Sequence, residues 1–350
     1  MSPSSALRLA AALVALLAGW SLAPARSRAE GFEVQKAPPA CRGRDLREVI
    51  VQKDPAMAAD LDRKAAAMPF GKGRLFRISK PGVPDSWLFG TIHVNDPRVT
   101  TFPPAATAAL DKARTVALEL AETERLEDPA LMQSVMSHVL AAMVARPGER
   151  ADALVPPADV QRLEKAMVAQ GQPAVGARTF RPVFMATVLA VPACAKTSFR
   201  GAPFVDLMVA RKARERGVPL VGLETLAGQL DMLAATPSSM QGPFLRALLA
   251  SLDLQEDVYE TTIRRYAAGE FGWLVAWSRG DKVIPGVEAK VPDAFFAALI
   301  DTRNAGMRDA ALPLLAEGGV FIGVGAAHIP GEAGLANLIR QAGYAVERAD

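Results

Sequence analysis

The sequence lacks the short motifs that mark several common hydrolases and nucleotide-binding proteins. It contains no H-E-x-x-H, no G-x-S-x-G, no Walker A motif and no C-x-x-C. It also has no internal repeat and no long low-complexity linker. These absences count against a metalloprotease with a zinc-binding helix and against a serine α/β hydrolase.

An excess of charge of one sign is also absent. The 40 basic and 37 acidic residues leave a formal net charge of +3. The two signs are mixed along the chain, without the basic stripe that binding to nucleic acid requires. The sequence therefore predicts no nucleic-acid partner.

The start of the chain has the features of a secretory signal peptide. "MSPSSALR" carries one positive charge, "LAAALVALLAGW" is apolar, and "SLAPARSRAE" offers cleavage sites after Ala25 or Ala29. The apolar run is shorter than the about 20 residues that span a membrane. We therefore expect residues 1–29 to be a signal peptide, with an uncleaved anchor as the alternative. The mature chain is expected to be periplasmic or secreted, without a stable membrane span.

Cysteine is scarce, since Cys41 and Cys194 are the only two in the chain. Two thiols of an exported protein can pair in an oxidising compartment. The spacing does not reveal whether the geometry allows a bond. A Cys41–Cys194 disulfide and two buried free thiols both remain open.

Segments typical of strands alternate with segments typical of helices. "RLFRIS", "SWLFGTIHV", "RTVALELA", "VPLVGLE" and "GGVFIGVG" are short apolar runs, and amphipathic helical sequence lies between most of them. This alternation predicts one α/β domain over residues 30–350, with a mixed central sheet flanked by helices. A helical insertion is expected across roughly 125–200, and further helices are expected over 226–316.

Two of the three histidines share a local pattern. The segments "GTIH" and "GAAH" place His93 three residues after Gly90 and His328 three residues after Gly325. Glycine permits a sharp backbone step, and small neighbours leave room for the imidazole. A neutral imidazole binds divalent transition metals and is the usual general base near neutral pH. A hydrogen-bonded histidine in a turn is the alternative for either one, but the repeated context favours a functional pair.

Four polar residues are expected at the carboxyl ends of strands, where α/β sheets bind ligands. They are His93, Glu119, Glu224 and His328. In "RTVALELA", strand alternation places Glu119 on a face of small residues, where a carboxylate is costly unless it is paired or holds a cation. Two histidines and a glutamate match the ligand set of hydrolytic metal sites. The sequence therefore predicts a metal site at His93, Glu119 and His328.

Two further residues are candidates with open alternatives. Glu224 in "VGLETLAGQL" is equally consistent with a site carboxylate, a general base or a residue at a helix start. Arg303 in "DTRNAGM" can stabilise an oxyanion or bind a substrate carboxylate, and a surface ion pair is the alternative. His138 is interpreted as an ordinary helix residue.

The segment "GVGAAH" comes close to the dinucleotide-binding pattern G-x-G-x-x-G, and Glu347 follows about twenty residues later, as that pattern expects. His328 occupies the position of the third glycine, which the pattern needs for close packing of helix and strand. The substitution argues against nucleotide binding.

Several segments together resemble the TraB/GumN family, which is related to the Tiki proteases. They are "ACRGRDL", "LFGTIHV", "ALEL", "VDLMVARKARERGVPLVGLETLAGQL", "DTRNAGM" and "FIGVGAAHIPGEAGLANLIRQAGYAVERAD". The resemblance covers roughly residues 40–350 and implies a fold similar to the erythromycin-esterase-like (EreA) and ChaN-like group. It also implies a metal-dependent hydrolase, specifically a peptidase. By motif, His93, Glu119 and His328 match the family's proposed site, and Arg303 matches more loosely.

The leading hypothesis is an exported metal-dependent hydrolase that cleaves peptide or amide bonds with a manganese, cobalt or zinc ion. A peptide or a small molecule would be its substrate. A metal-independent esterase that uses a histidine as general base is the second hypothesis. The third is a non-catalytic periplasmic binding or assembly factor, for haem or for an exopolysaccharide system. Haem ligation would need a suitably placed His or Tyr, and no tyrosine adjoins the two glycine–histidine segments in sequence.

Overall fold

The structure is a computed structural model that describes residues 41–125, 128–195 and 204–350. Strands β1 to β8 span Leu75–Lys80, Val83–Thr91, Thr115–Leu120, Leu220–Glu224, Lys282–Ile284, Val287–Glu288, Val320–Gly325 and Ala345–Arg348. Helices α1 to α9 span Leu46–Lys53, Pro55–Ala67, Pro97–Thr100, Pro104–Lys112, Pro129–Met143, Ala151–Leu154, Pro157–Ala169, Gly176–Thr179 and Pro182–Leu189. Helices α10 to α17 span Val205–Glu215, Leu226–Ala234, Ser238–Ser251, Gln255–Ala267, Phe271–Ser278, Asp293–Phe296, Thr302–Glu317 and Leu335–Gln341. The signal peptide predicted for residues 1–29 lies outside the described residues.

Six strands form one mixed sheet, in the order β4-β3-β7-β2-β1-β8. The first four are parallel to one another, and β1 is antiparallel to both β2 and β8. Thr91 of β2 is in register with Gly325 of β7, and Leu120 of β3 with Glu224 of β4. The carboxyl ends of the four parallel strands therefore lie at the same end of the sheet. This architecture confirms the predicted α/β fold with a mixed sheet and flanking helices.

Both faces of the sheet are covered by helices. The central strand β7 has the sequence "VFIGVG", and its first five residues are buried, as expected for a parallel strand between two helical layers. Phe321 packs with side chains of α4 and α10 on one face, whereas Ile322 packs with side chains of α13, α14, α16 and α17 on the other. The alternation of side chains along one strand thus separates the two cores.

Helices α5 to α9 occupy the segment for which the sequence predicts helices. Their buried side chains form a core with α11 and α12, in which Phe184 and Leu230 are fully buried. Arg181 is also fully buried, pairs with Glu149 at 2.9 Å and donates to the backbone carbonyls of residues 233, 234 and 236. These bonds attach the helical segment to the end of α11.

A pair of short strands lies where the sequence predicts only helices. β5 and β6 form a two-stranded antiparallel sheet within residues 226–316. Pro285 and Gly286 connect them, and Gly286 has φ +84°, a conformation that glycine adopts without steric cost. The expectation of helices throughout 226–316 is therefore wrong over 282–288, because a Pro-Gly turn interrupts the helical sequence.

Cys41 and Cys194 form a disulfide, with their Cα atoms 5.2 Å apart and a sequence separation of 153. The bond joins the segment before α1 to the segment after α9. Such cross-links commonly stabilise a fold by about 2–4 kcal/mol, mainly by restricting the unfolded chain. Of the two states left open by the sequence, the structure has the disulfide.

Within the described residues, no helix is both long enough and apolar enough to cross a bilayer.

Candidate active site

The carboxyl ends of the parallel strands carry the four polar residues selected from the sequence. Glu119 is the fifth residue of β3, and Glu224 is the last residue of β4. His93 lies two residues beyond the end of β2. His328 ends the 3₁₀ turn Ala326–His328, which directly follows β7.

These side chains, with Arg303 from α16, are close enough to interact. His328 Nε2 lies 3.8 Å from Glu119 Oε1, and Arg303 forms ion pairs with Glu119 and Glu224. The charge of His93 influences the pKa values of both Glu119 and His328. Glu119, Glu224, Arg303 and His328 therefore form one contiguous cluster, and His93 lies near enough for its charge to act on that cluster.

Glu119 is the buried anion at the centre of the cluster. Its Oε1 accepts a hydrogen bond from the backbone N–H of Gly325, and its Oε2 accepts one from Arg303 Nη2 at 2.9 Å. Burial raises the pKa of this carboxyl group, but the neighbouring charges of His328, Arg303 and His93 outweigh burial and lower the pKa to about 2. Glu119 is therefore ionised at neutral pH.

Arg303 holds the two carboxylates together. Its Nη2 lies 2.6 Å from Glu224 Oε2, and its Nε also donates to Glu224. Its side chain is only 13% exposed, so it is not the surface arginine of the alternative interpretation. Glu224 does not cap the following helix, because Thr225 accepts the hydrogen bond from the Gly228 N–H at the start of α11. The π-helical segment Ala297–Asp301 leads into α16 and precedes Arg303 by two residues.

His328 is a buried imidazole with a neutral partner. Its Nδ1 lies 2.6 Å from Asn304 Oδ1. The Asn304 Nδ2 donates to the carbonyl of Ala333 at 2.8 Å, so Oδ1 is the amide atom that faces the ring. Nδ1 of His328 therefore carries the proton, and the Nε2 lone pair faces Glu119. Burial lowers the pKa of His328, although the charge of Glu119 opposes this effect.

His93 has a charged partner. Its Nδ1 lies 2.9 Å from Asp206 Oδ2, and Thr91 donates to the other oxygen of Asp206 at 2.8 Å. Partial desolvation of the ring lowers the pKa of His93, but the charge and hydrogen bond of Asp206 outweigh this effect and raise the pKa to about 9. The His93 side chain is 46% exposed, so solvent reaches the ring while Asp206 is buried beneath it.

The sequence did not identify Asp206 or Asn304 as parts of the site. Both are buried polar residues at the first position of an apolar helix stripe. Asp206 is followed on its helix face by Val209, Ala210 and Ala213 in α10, and Asn304 by Met307, Ala311 and Leu315 in α16. A polar residue in phase with such a stripe is costly to bury without a partner, and this signal was available in the sequence.

Gly90 of the first glycine–histidine segment is enclosed on two sides. Its carbonyl accepts a hydrogen bond from the buried Tyr266 hydroxyl at 2.7 Å. A Cβ atom on Gly90 would overlap with the ring of Phe271 and lie 3.1 Å from Ile329 Cδ1. Glycine is therefore needed at this position for close packing. The tyrosine contact joins residues 176 positions apart, which explains why sequence proximity did not reveal it.

Replacing Gly90 with alanine is expected to lower the free energy of unfolding by about 1–3 kcal/mol, the usual cost of overpacking a core. The matched control is Gly306→Ala in α16, where a Cβ meets nothing within 4 Å. The control is expected to be neutral or stabilising, because alanine favours helices. Urea unfolding measures both, and Phe271→Leu is expected to restore part of the stability lost by Gly90→Ala. Equal stabilities of the two alanine variants would contradict the packing argument.

The chemistry of the site fits a divalent cation only in part. His328 Nε2 and Glu119 Oε1 are 3.8 Å apart, within the about 4 Å that two ligands of one ion span. However, both oxygens of Glu119 already accept hydrogen bonds, from Gly325 and Arg303. Within residues 41–125, 128–195 and 204–350, no group of three His, Cys, Asp or Glu side chains is placed to hold a metal ion. His93, Glu119 and His328 do not form a complete donor set in this geometry, and the ion stays a prediction.

A mixed sheet with a carboxylate–imidazole cluster at the carboxyl ends of its parallel strands defines an α/β protein of the kind that binds ligands at this end. Residues 74–348 match the TraB/PrgY/gumN family. The chain belongs to that family, which confirms the resemblance found in the sequence. No curated protein and no solved structure matches the chain.

Proposed function

We propose that the cluster hydrolyses an acyl–nitrogen or acyl–oxygen bond, with peptide or amide bonds as the first substrates to test. The observation that supports this proposal is the unlike pairing of two imidazoles in one site. His93 is paired with the carboxylate of Asp206, and His328 with the amide oxygen of Asn304. A carboxylate stabilises the imidazolium form, whereas burial beside a neutral amide favours the uncharged ring. The site thus contains a proton donor and a proton acceptor at neutral pH, as general acid–base catalysis requires.

His328 is the proposed base. Its Nε2 and Glu119 Oε1 are two acceptors 3.8 Å apart, and one water molecule can donate a hydrogen to each of them. Such a water would keep its oxygen lone pairs for a substrate carbonyl. As the water oxygen bonds to the carbonyl carbon, one proton passes to His328 Nε2. The negative charge of Glu119, held by Arg303, stabilises the imidazolium that forms.

His93 is the proposed acid. Its exposed ring is accessible to a substrate, and Asp206 holds its Nδ1, so Nε2 carries the proton to be donated. When the carbon–nitrogen bond breaks, this proton passes to the leaving nitrogen. His328 then releases its extra proton to solvent, and His93 takes up a proton from solvent, so both return to their starting states. The net reaction consumes one water and yields an acid and an amine.

A metal-dependent version of the same proposal assigns a manganese, cobalt or zinc ion to His93, Glu119 and His328. The anchoring of each histidine through Nδ1 favours it, because oxygen acceptors orient metal-binding imidazoles in this way. A bound ion would supply a water with its pKa lowered towards 7. The ion pair between Glu119 and Arg303 favours the metal-free version.

We also propose that the protein acts in the periplasm or outside the cell. The disulfide between Cys41 and Cys194 suits an oxidising compartment, and residues 1–29 have the order of a signal peptide. A peptide or small-molecule substrate of that compartment would be the partner.

Cleavage of a peptide library, before and after exhaustive chelation, tests the proposal. Wild type and the control His138→Ala are expected to cleave equally, and His93→Ala at least about 10²-fold more slowly. Activity that survives chelation supports the metal-free version. Loss on chelation with recovery on adding manganese, cobalt or zinc supports the metal-dependent one. A wild type that cleaves neither peptides nor simple esters would contradict a hydrolase.

The dependence of kcat/KM on pH is expected to be bell-shaped. His328 must be neutral, and its pKa is lowered below 6.5, so the rate falls only at acid pH. His93 must be protonated, so the rate falls as pH rises through about 9. Asp206→Asn removes the charge that raises the pKa of His93, and the alkaline limb is expected to move towards 6.5. The control Asp231→Asn, which removes the partner of His138, is expected to leave the profile unchanged. An unmoved alkaline limb in Asp206→Asn would remove His93 from the role of acid.

A further inference from the structure

A cavity of about 560 Å³ lies among α1, α2, β1 and α14. None of the residues that form the candidate active site lines it. Its volume falls in the range of roughly 300–1,000 Å³ that is typical of small-molecule sites. This α2–α14 cavity is therefore large enough for a ligand of its own.

The cavity has aromatic walls. Phe76 and Trp273 are buried, and Phe70 packs edge-on against Phe76 with ring centroids 5.8 Å apart. Phe70 has φ +54° and is the only non-glycine residue with positive φ in the described part of the chain. Backbone strain of this kind persists only where the surrounding structure imposes it, and it is concentrated at functional sites. The walls suit an apolar group held against rings.

Two buried donors belong to residues that line the cavity. They are the indole Nε1 of Trp273 and the Nε of Arg47, and neither has a hydrogen-bond partner among the described residues. Trp273 is only 3% exposed. A buried donor without an acceptor is costly, so a ligand that supplies an acceptor would bind favourably.

The charges around the cavity favour an anion. Its two carboxylates are already paired, because Arg47 binds Asp62 at 2.9 Å and Arg265 binds Glu270 at 2.7 Å. Lys72 also lines the cavity, and its ammonium group forms no ion pair with any described residue. The residues that line the cavity thus include one cation without an ion pair and two with an unpaired buried donor, beside apolar walls.

We propose that the α2–α14 cavity binds a small carboxylate with an aromatic or aliphatic body, with Lys72 and the Trp273 indole as its polar contacts. The carboxylate is either that of a free organic acid or the carboxyl terminus of a peptide. Both present two acceptor oxygens and one negative charge beside an apolar group. The site is independent of the hydrolysis proposed above.

Isothermal titration of the full chain with 2-naphthoate tests the proposal, with 2-naphthamide as the uncharged probe. The acid is expected to bind at least about tenfold more tightly than the amide, since a hydrogen bond to a charged group contributes this much. A second pair of probes, acetyl-Ala-Ala-Phe with a free or an amidated carboxyl end, tests the peptide source. Tighter binding of the peptide acid than of naphthoate identifies a chain terminus as the source, and the reverse order identifies a free acid.

Three variants connect this binding to the cavity. Lys72→Met is expected to weaken binding of the acid about tenfold, and Trp273→Phe to weaken it while keeping an aromatic wall. Lys165→Met, which changes an exposed lysine of α7, is the matched control and is expected to bind as wild type. His93→Ala is also expected to bind as wild type, because His93 does not line the cavity. No binding of either acid, equal binding of acid and amide, or wild-type affinity in Lys72→Met would overturn the proposal.

Discussion

Replacing His328 with glutamine is expected to lower kcat for the cleaved peptide by about 10²–10⁴-fold, the usual contribution of a general base. Glutamine can keep a polar contact with Asn304, but it has no nitrogen lone pair that accepts a proton at neutral pH. KM is expected to change little, because His328 is only 4% exposed and acts on the attacking water rather than on the substrate. Steady-state kinetics, with circular dichroism to verify the fold, provide the measurement.

The third histidine supplies the control for this experiment. His138→Gln makes the same substitution in α5, where the side chain pairs with Asp231 and is 33% exposed. Its kcat is expected to equal that of wild type. If His328→Gln were as active as His138→Gln, the assignment of the base would be wrong, whatever the metal requirement.

Replacing Arg303 with methionine is expected to lower the free energy of unfolding by about 3–5 kcal/mol at neutral pH, the cost of breaking a buried ion pair from one side. The substitution leaves Glu119 and Glu224 near each other without their shared cation. Arg308→Met on the same helix is the control, because among the described residues Arg308 pairs only with the exposed Asp309. Pairs of that kind contribute about 0–1 kcal/mol. Urea unfolding of both variants against wild type provides the measurement.

The pH dependence of this loss follows from Glu119. Its pKa is lowered from 4.5 to about 2 in the folded protein, so its contribution to stability is complete above 4.5 and is lost as pH falls through about 2. Without Arg303, the pKa of Glu119 in the folded protein rises. Protonation therefore removes the unpaired charge of Glu119 at a higher pH in the variant than in wild type. The stability gap between Arg303→Met and wild type is therefore expected to narrow between about pH 7 and about pH 4. A gap that is constant over this range would show that lost packing, not charge, causes the effect.

The strands of the sheet, and the polar residues at their carboxyl ends, were predictable because buried parallel strands have continuous apolar sequences. "GGVFIGVG" and "RTVALELA" leave few other interpretations, and the rule that ligands bind at the carboxyl ends of strands then selects His93, Glu119, Glu224 and His328. The sequence did not decide whether the disulfide forms, because sequence spacing carries no information on the distance between Cys41 and Cys194.

The partners of the two imidazoles were not predicted, because each comes from a helix distant in sequence. Asp206 is 113 positions from His93, and Asn304 is 24 positions from His328. Helix periodicity predicts that Asp206 and Asn304 are buried, but it does not predict which strand end each of them faces. The role of Arg303 was undecided for the same reason, since its two carboxylate partners lie on β3 and β4. The protonation states of the site therefore depend on tertiary contacts that local pattern does not encode.

The segment Ala297–Asp301 fixes the rotational phase of α16. A π-turn contains one more residue than an α-turn, so the helix that follows it is turned relative to an uninterrupted one. Deleting a single residue there would rotate α16 by about 100° about its axis. Arg303 and Asn304 would then both turn away from the strand ends, while the strands that carry the glutamates and precede the histidines kept their places. The number of residues in this segment therefore determines both whether Arg303 reaches the two glutamates and whether Asn304 orients the ring of His328.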